Sequence, residues 1–328
     1  MRTLPPISPA IVFATCLAAV SAHAQSPDLI EQSRLRSSLS DFRPEAPVGI
    51  SDALSGGTDE SLGESADEQE EGALETPGDF DLGVQLIMKP KERNRPLRLF
   101  ATIDDFFTSN VALAKHDPQS DNYLFAEIGA RYETKLSEAL GFEATVRQAI
   151  FRYNKYRSFD FESLNVGAGV GYKVPELADV TLFARYNCER LTRDDFGDEF
   201  FLNQTLSVGA QKSWIYKETH AFFVGYSSLF GFSDPAASER DEHSLFGGAH
   251  LPLIGKLDGD LYCRLAYFDF HNGQHDMNQL IAPSLTYHLS PSCDLGVSFS
   301  FVLNRSNRSR FDYENLTTGG GLTLTGRF

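Results

Sequence analysis

From Pro96 to Phe328, large apolar residues recur at every second position, in runs separated by polar connections. A spacing of two is the signature of a strand with one apolar and one polar face, because successive side chains of an extended chain point to opposite sides. The first run sets Leu97, Leu99, Ala101 and Ile103 on one face and Arg98, Thr102 and Asp104 on the other. The second opposes Leu124, Ala126, Ile128, Ala130 and Tyr132 to Glu127, Gly129, Arg131 and Glu133, and the third opposes Phe142, Ala144 and Val146 to Glu143, Thr145 and Arg147. The fourth is the cleanest, with Leu164, Val166, Ala168, Val170 and Tyr172 against Asn165, Gly167, Gly169, Gly171 and Lys173. In the fifth, Val180, Leu182, Ala184 and Tyr186 face away from Arg185, Asn187 and Glu189, with Phe183 interrupting the polar side. The sixth, tenth, eleventh and last runs repeat the pattern, while those at 222–229, 245–253 and 261–270 alternate less regularly. The pattern does not assign the faces of 261–270. The count is about 12 strands.

Alternation alone fits a water-soluble β-sandwich or a barrel in lipid. Three features favour an all-β, transmembrane, antiparallel up-and-down β-barrel. The polar set is rich in Gly, Ser, Thr and Asn, with charges such as Glu127/Arg131, Glu143/Arg147 and Arg185/Glu189, which suits a wet lumen. Short connections (174–179, 216–219, 290–293) alternate with longer polar ones (114–122, 191–199, 233–243, 304–315). Outward aromatics Tyr132, Tyr172, Trp214, Tyr287 and Phe328 fall where strands reach the short turns, the level of a membrane interface. No apolar stretch beyond residue 24 is long enough for a spanning helix.

The N-terminal part differs. Residues 1–24 read as an export signal, with Arg2, an apolar stretch and Ala22-His23-Ala24 before Gln25. The formal charge is 29 − 45 = −16, and the window 51–82 holds eleven acids and no Lys or Arg, so −5 remains for the rest. Such a segment cannot bury enough apolar surface to offset ordering, so 25–95 reads as a disordered acidic tether before a barrel at 96–328. Its bland reading is a solvated spacer; its functional one is an arm for a periplasmic partner. The acidic balance excludes nucleic acid as a natural partner.

The inward charges Arg98, Asp104, Glu127, Arg131, Glu133, Glu143, Arg147, Arg185 and Glu189 are the candidate lumen residues. Either they neutralise one another within a filled wall, or they form a constriction of mixed charge in a channel for small hydrophilic solutes or an exported polymer. The other readings are a non-conducting structural or interaction barrel of the envelope and, behind it, a hydrolase built on His271, Asn272, His275 and Asp276 with His243. No Ser motif accompanies that group, so no catalytic residue is assigned and the chain is read as a non-enzyme. Cys188, Cys263 and Cys293 lie far apart, with no CxxC and no Cys/His cluster, so no metal or cofactor is expected.

The C-terminal run Gly320-Gly321-Leu322-Thr323-Leu324-Thr325-Gly326-Arg327-Phe328 resembles the last strand of Gram-negative outer-membrane β-barrel proteins, which alternate apolar residues and end in an aromatic. Phe328, Leu324 and Leu322 match that pattern, and Gly326 stands where a bulky residue is usual. The resemblance implies residence in the outer membrane, contact with its lipids and insertion by the barrel assembly machinery.

Overall fold

The computed structural model describes residues 95–193, 196–217 and 219–328. The signal segment 1–24 and the acidic window lie outside the described residues. Twelve strands follow in chain order: β1 (Leu97–Thr108), β2 (Asp121–Lys135), β3 (Leu140–Tyr153), β4 (Phe161–Val174), β5 (Val180–Thr192), β6 (Glu199–Tyr216), β7 (His220–Asp234), β8 (Arg240–Ile254), β9 (Leu257–Phe270), β10 (His275–Ser290), β11 (Cys293–Ser306) and β12 (Tyr313–Arg327). Each pairs antiparallel with its neighbours in sequence, and β12 closes on β1, placing Ile103 opposite Leu322 and Arg98 opposite Arg327. Closure leaves no unpaired edge, the condition for a sheet to cross a bilayer.

The apolar set points outward. Ile128 is 64% exposed, and Val297 and Leu324 are each 56% exposed. A belt of bare Leu, Val, Ile and Phe around a whole sheet has no place in water and matches a lipid-facing surface. Inward, small residues make room for large ones. The Phe183 ring lies where a side chain at Gly209 would stand, and Phe100 does the same over Gly129.

Two details differ from the sequence expectation. The connection between β7 and β8 is only 235–239, not 233–243. Polarity at those strand ends belongs to the inward face: Ser233 Oγ donates to Asn203 at 2.9 Å, and Arg264 donates to Glu242 at 3.4 Å. The β11–β12 connection likewise shrinks to 307–312, leaving 109–120 as the longest. In β9, Leu261, Leu265 and Tyr267 are exposed, whereas Ala266, Phe268 and Phe270 are buried. From Ala266 onward its inner face is itself apolar, so alternation could not assign it.

Candidate functional site: the barrel lumen

At the short-turn end the lumen wall is charged. Glu143 on β3 is buried; it pairs with Arg185 on β5 and lies 3.9 Å from Arg131 on β2, which is 3.6 Å from Glu133. Glu133 and Glu143 stand directly opposite across β2 and β3, a like-charge juxtaposition that the two arginines offset. Glu143 draws both of its arginines from other strands. Arg98 faces Arg131 on one side and Arg327 on the other. Asp104 is buried opposite Gly321, where only a glycine leaves its carboxylate room.

The opposite part of this end holds a chain that sequence reasoning missed. His250 Nδ1 is 2.7 Å from Asp260 and its Nε2 is 3.8 Å from Asp258. His288 Nε2 is 2.9 Å from the same Asp258, and its Nδ1 is 2.7 Å from Asp294. The register of β8 to β11 aligns His250 with Asp260 and His288 with Asp294. In sequence these residues look like isolated acids and histidines on four different strands; only strand pairing unites them.

Midway up, Glu127, Arg147 and Glu189 line one recess with Ala149, Phe151, Ser163 and Asn165. Ser163 Oγ donates to Glu189 at 3.0 Å. Asn165 is 6% exposed, and its Oδ1 has no hydrogen-bond partner.

Toward the long-loop end the lumen is filled. Tyr123, Phe125, Phe151, Tyr153, Phe161, Leu191 and Phe201 form one buried cluster with Phe106 against it. Phe151 and Phe161 stack at 4.2 Å between ring centroids, and Phe125 meets Phe151 at 5.1 Å. The connection 109–120 folds into this cluster. Val111 joins the aromatic group, while Leu113 packs with Leu280, Val302 and Tyr313 on the other side of β1. Leu113 has φ 48°, a left-handed conformation that costs a non-glycine residue about 1 kcal/mol, so packing holds it there.

Hydrogen bonds fix the same connection. Asn110 Nδ2 donates to the Ala114 carbonyl at 2.8 Å and to that of Glu314 at 3.0 Å, and Lys115 Nζ lies 2.8 Å from Asp312. The Lys115 ammonium, helped by the Ser306 N–H, holds the Asp312 carboxyl below its ordinary range. A buried amide network completes the seal, with Asn278 Nδ2 donating to Asn304, Asn304 Nδ2 to Asp276, and Thr108 Oγ1 to Asn315. Sequence reasoning missed this stopper. Its signal was present in 149–153 and 261–270, where both faces of a run are apolar or aromatic.

The aromatics Tyr132, Tyr172, Trp214, Tyr287 and Phe328 are all exposed, at strand ends by the short turns or the C-terminus. The residues weighed for hydrolysis do not converge. His275 pairs with Asp269 at 3.0 Å, whereas Asp276 is buried against Gln274 and Asn304. His271 lies 3.1 Å from Glu239 in a connection, and His243 is on β8, its Nδ1 3.0 Å from the Tyr226 hydroxyl and 3.1 Å from that of Ser228. Among the described residues no group of three or more His, Cys, Asp or Glu is placed to hold a metal.

Comparison with solved structures shows what fold this is. An outer membrane channel from Pseudomonas putida F1 superposes with a TM-score of 0.52 at 8% identity, over 71% of this chain and 97% of that one. The translocator domain of the autotransporter NalP from Neisseria meningitidis gives 0.39 at 9% identity, covering 71% of this chain and 89% of that one. An anion-selective porin from Comamonas acidovorans gives 0.37 at 10%, covering 70% and 98%. No protein-family model matches the chain, and no curated protein matches it in sequence. The architecture is that of the outer-membrane β-barrel proteins.

Proposed function

We propose that the protein is a channel-like barrel of the outer membrane, with a hydrophilic vestibule open to the periplasm and a stopper closing the outer side. The observation that carries this reading is the change of environment along the lumen. Inward positions near the short turns, such as Arg98, Ser284 and Thr286, are partly exposed, while Phe151, Phe161, Leu280 and Val302 farther up are sealed. Charged and hydroxylated walls suit small hydrophilic solutes. Val111 and Leu113 are the natural latch, because one connection inserts them on both sides of the outer lumen.

Planar-bilayer recordings of the refolded barrel test this. Wild-type protein is expected to show rare, brief openings, and V111G/L113G to show frequent, long ones. Absence of current steps in both proteins would leave the non-conducting structural barrel as the better reading.

A further inference from the structure

We propose that the recess between β2, β3, β4 and β5 binds a single monovalent cation of sodium, potassium or ammonium size. Its polar lining is made mostly of acceptors. Glu127 and Glu189 contribute carboxylates, and Ser163 has spent its hydroxyl proton on Glu189, leaving lone pairs toward the space. Asn165, buried and lining the same space, presents an Oδ1 with no partner. A buried carbonyl without a donor is costly, so the atom calls for a hydrogen-bond donor or a cation.

Charge decides between those two. Glu127 and Glu189 against Arg147 sum to −1 over the lining of the recess. One positive charge balances that lining; a water molecule satisfies Asn165 but adds none. The space admits about one water-sized particle, which excludes a solvated or organic ion. Two carboxylates and one arginine are too little charge for calcium, which takes six to eight oxygens at about 2.4 Å. The inference holds whether or not the barrel conducts, since it concerns occupancy of the wall beneath Phe151.

The test is thermal unfolding of the refolded full chain at constant ionic strength in sodium, potassium, ammonium or choline chloride. Choline is too large for the recess. The midpoint is expected to rise saturably by about 2–4 °C in at least one small cation relative to choline. Asn165→Leu and Glu189→Gln are expected to abolish that rise, with Ser163→Ala as the alternative should either fail to fold. Equal midpoints in all four salts would mean that the recess holds water only and would overturn the inference. A rise that survives in both Glu189→Gln and Ser163→Ala would place the cation elsewhere and overturn it equally.

Discussion

Along β3 the inward residues begin with Glu143, Thr145 and Arg147 and end with Ala149, Phe151 and Tyr153. Along β9 they begin with Asp258 and Asp260 and end with Ala266, Phe268 and Phe270. In both strands the short-turn half presents polar groups to the lumen, and the long-loop half presents buried apolar ones. On the outer face, Val146 of β3 is as bare as Leu261 and Leu265 of β9. Period-two alternation therefore reports which side a residue faces, while the chemistry along one side reports height, and the lumen has two heights with different linings.

The largest expected effect lies in the sealed half. Phe151→Ala removes a ring stacked on Phe161 and touching Phe125, so it should cost about 3–5 kcal/mol in urea unfolding from lipid vesicles. A loss below about 1 kcal/mol would mean that the aromatic cluster is not a packed seal.

In the open half, Glu143→Gln leaves Arg131 and Arg185 without their shared carboxylate. The expected cost is about 1–3 kcal/mol, smaller than for Phe151 because water reaches much of this wall. Equal losses at the two sites would erase the distinction between the halves.

The latch gives a pH dependence. Because the Asp312 carboxyl titrates below its ordinary value, its bond from Lys115 contributes above the unfolded carboxylate pKa and is lost as pH falls through the lowered folded value. Hydrogen exchange at the Val111 amide, which donates to the Gln119 carbonyl at 2.7 Å, should speed up in that acid range after correction for intrinsic rate. In Asp312→Asn it should be fast throughout, and protection unchanged by either treatment would remove Asp312 from the latch. The smallest effect is expected at the exposed Arg305–Glu314 pair, where Arg305→Ala should change stability by about 0.5 kcal/mol or less.

Much of the barrel was legible in the sequence because lipid on one side enforces strict alternation. The apolar faces of β1 to β6 and β10 to β12 follow directly from runs such as Leu164 to Tyr172. Strand ends were less legible, since Ser233 and Glu242 look like loop residues until their partners Asn203 and Arg264 are known. The lumen candidates were legible as inward charges but not as groups. That Glu127, Arg147 and Glu189 share a recess while Glu143 draws in Arg131 and Arg185 depends on the register of strands far apart in the chain. The stopper escaped because an aromatic on the lumen side breaks the alternation that identified everything else.

The central claim is one-sided access to the vestibule. Thr286 faces the lumen two residues from His288, and the natural cysteines can be replaced by serine so that Thr286→Cys is the sole thiol. With a membrane-impermeant maleimide added outside cells whose outer membrane is intact, Thr286→Cys should stay unlabelled. It should react when the outer membrane is permeabilised, and from outside when V111G/L113G is added. Rapid labelling from outside with the stopper intact would contradict the account.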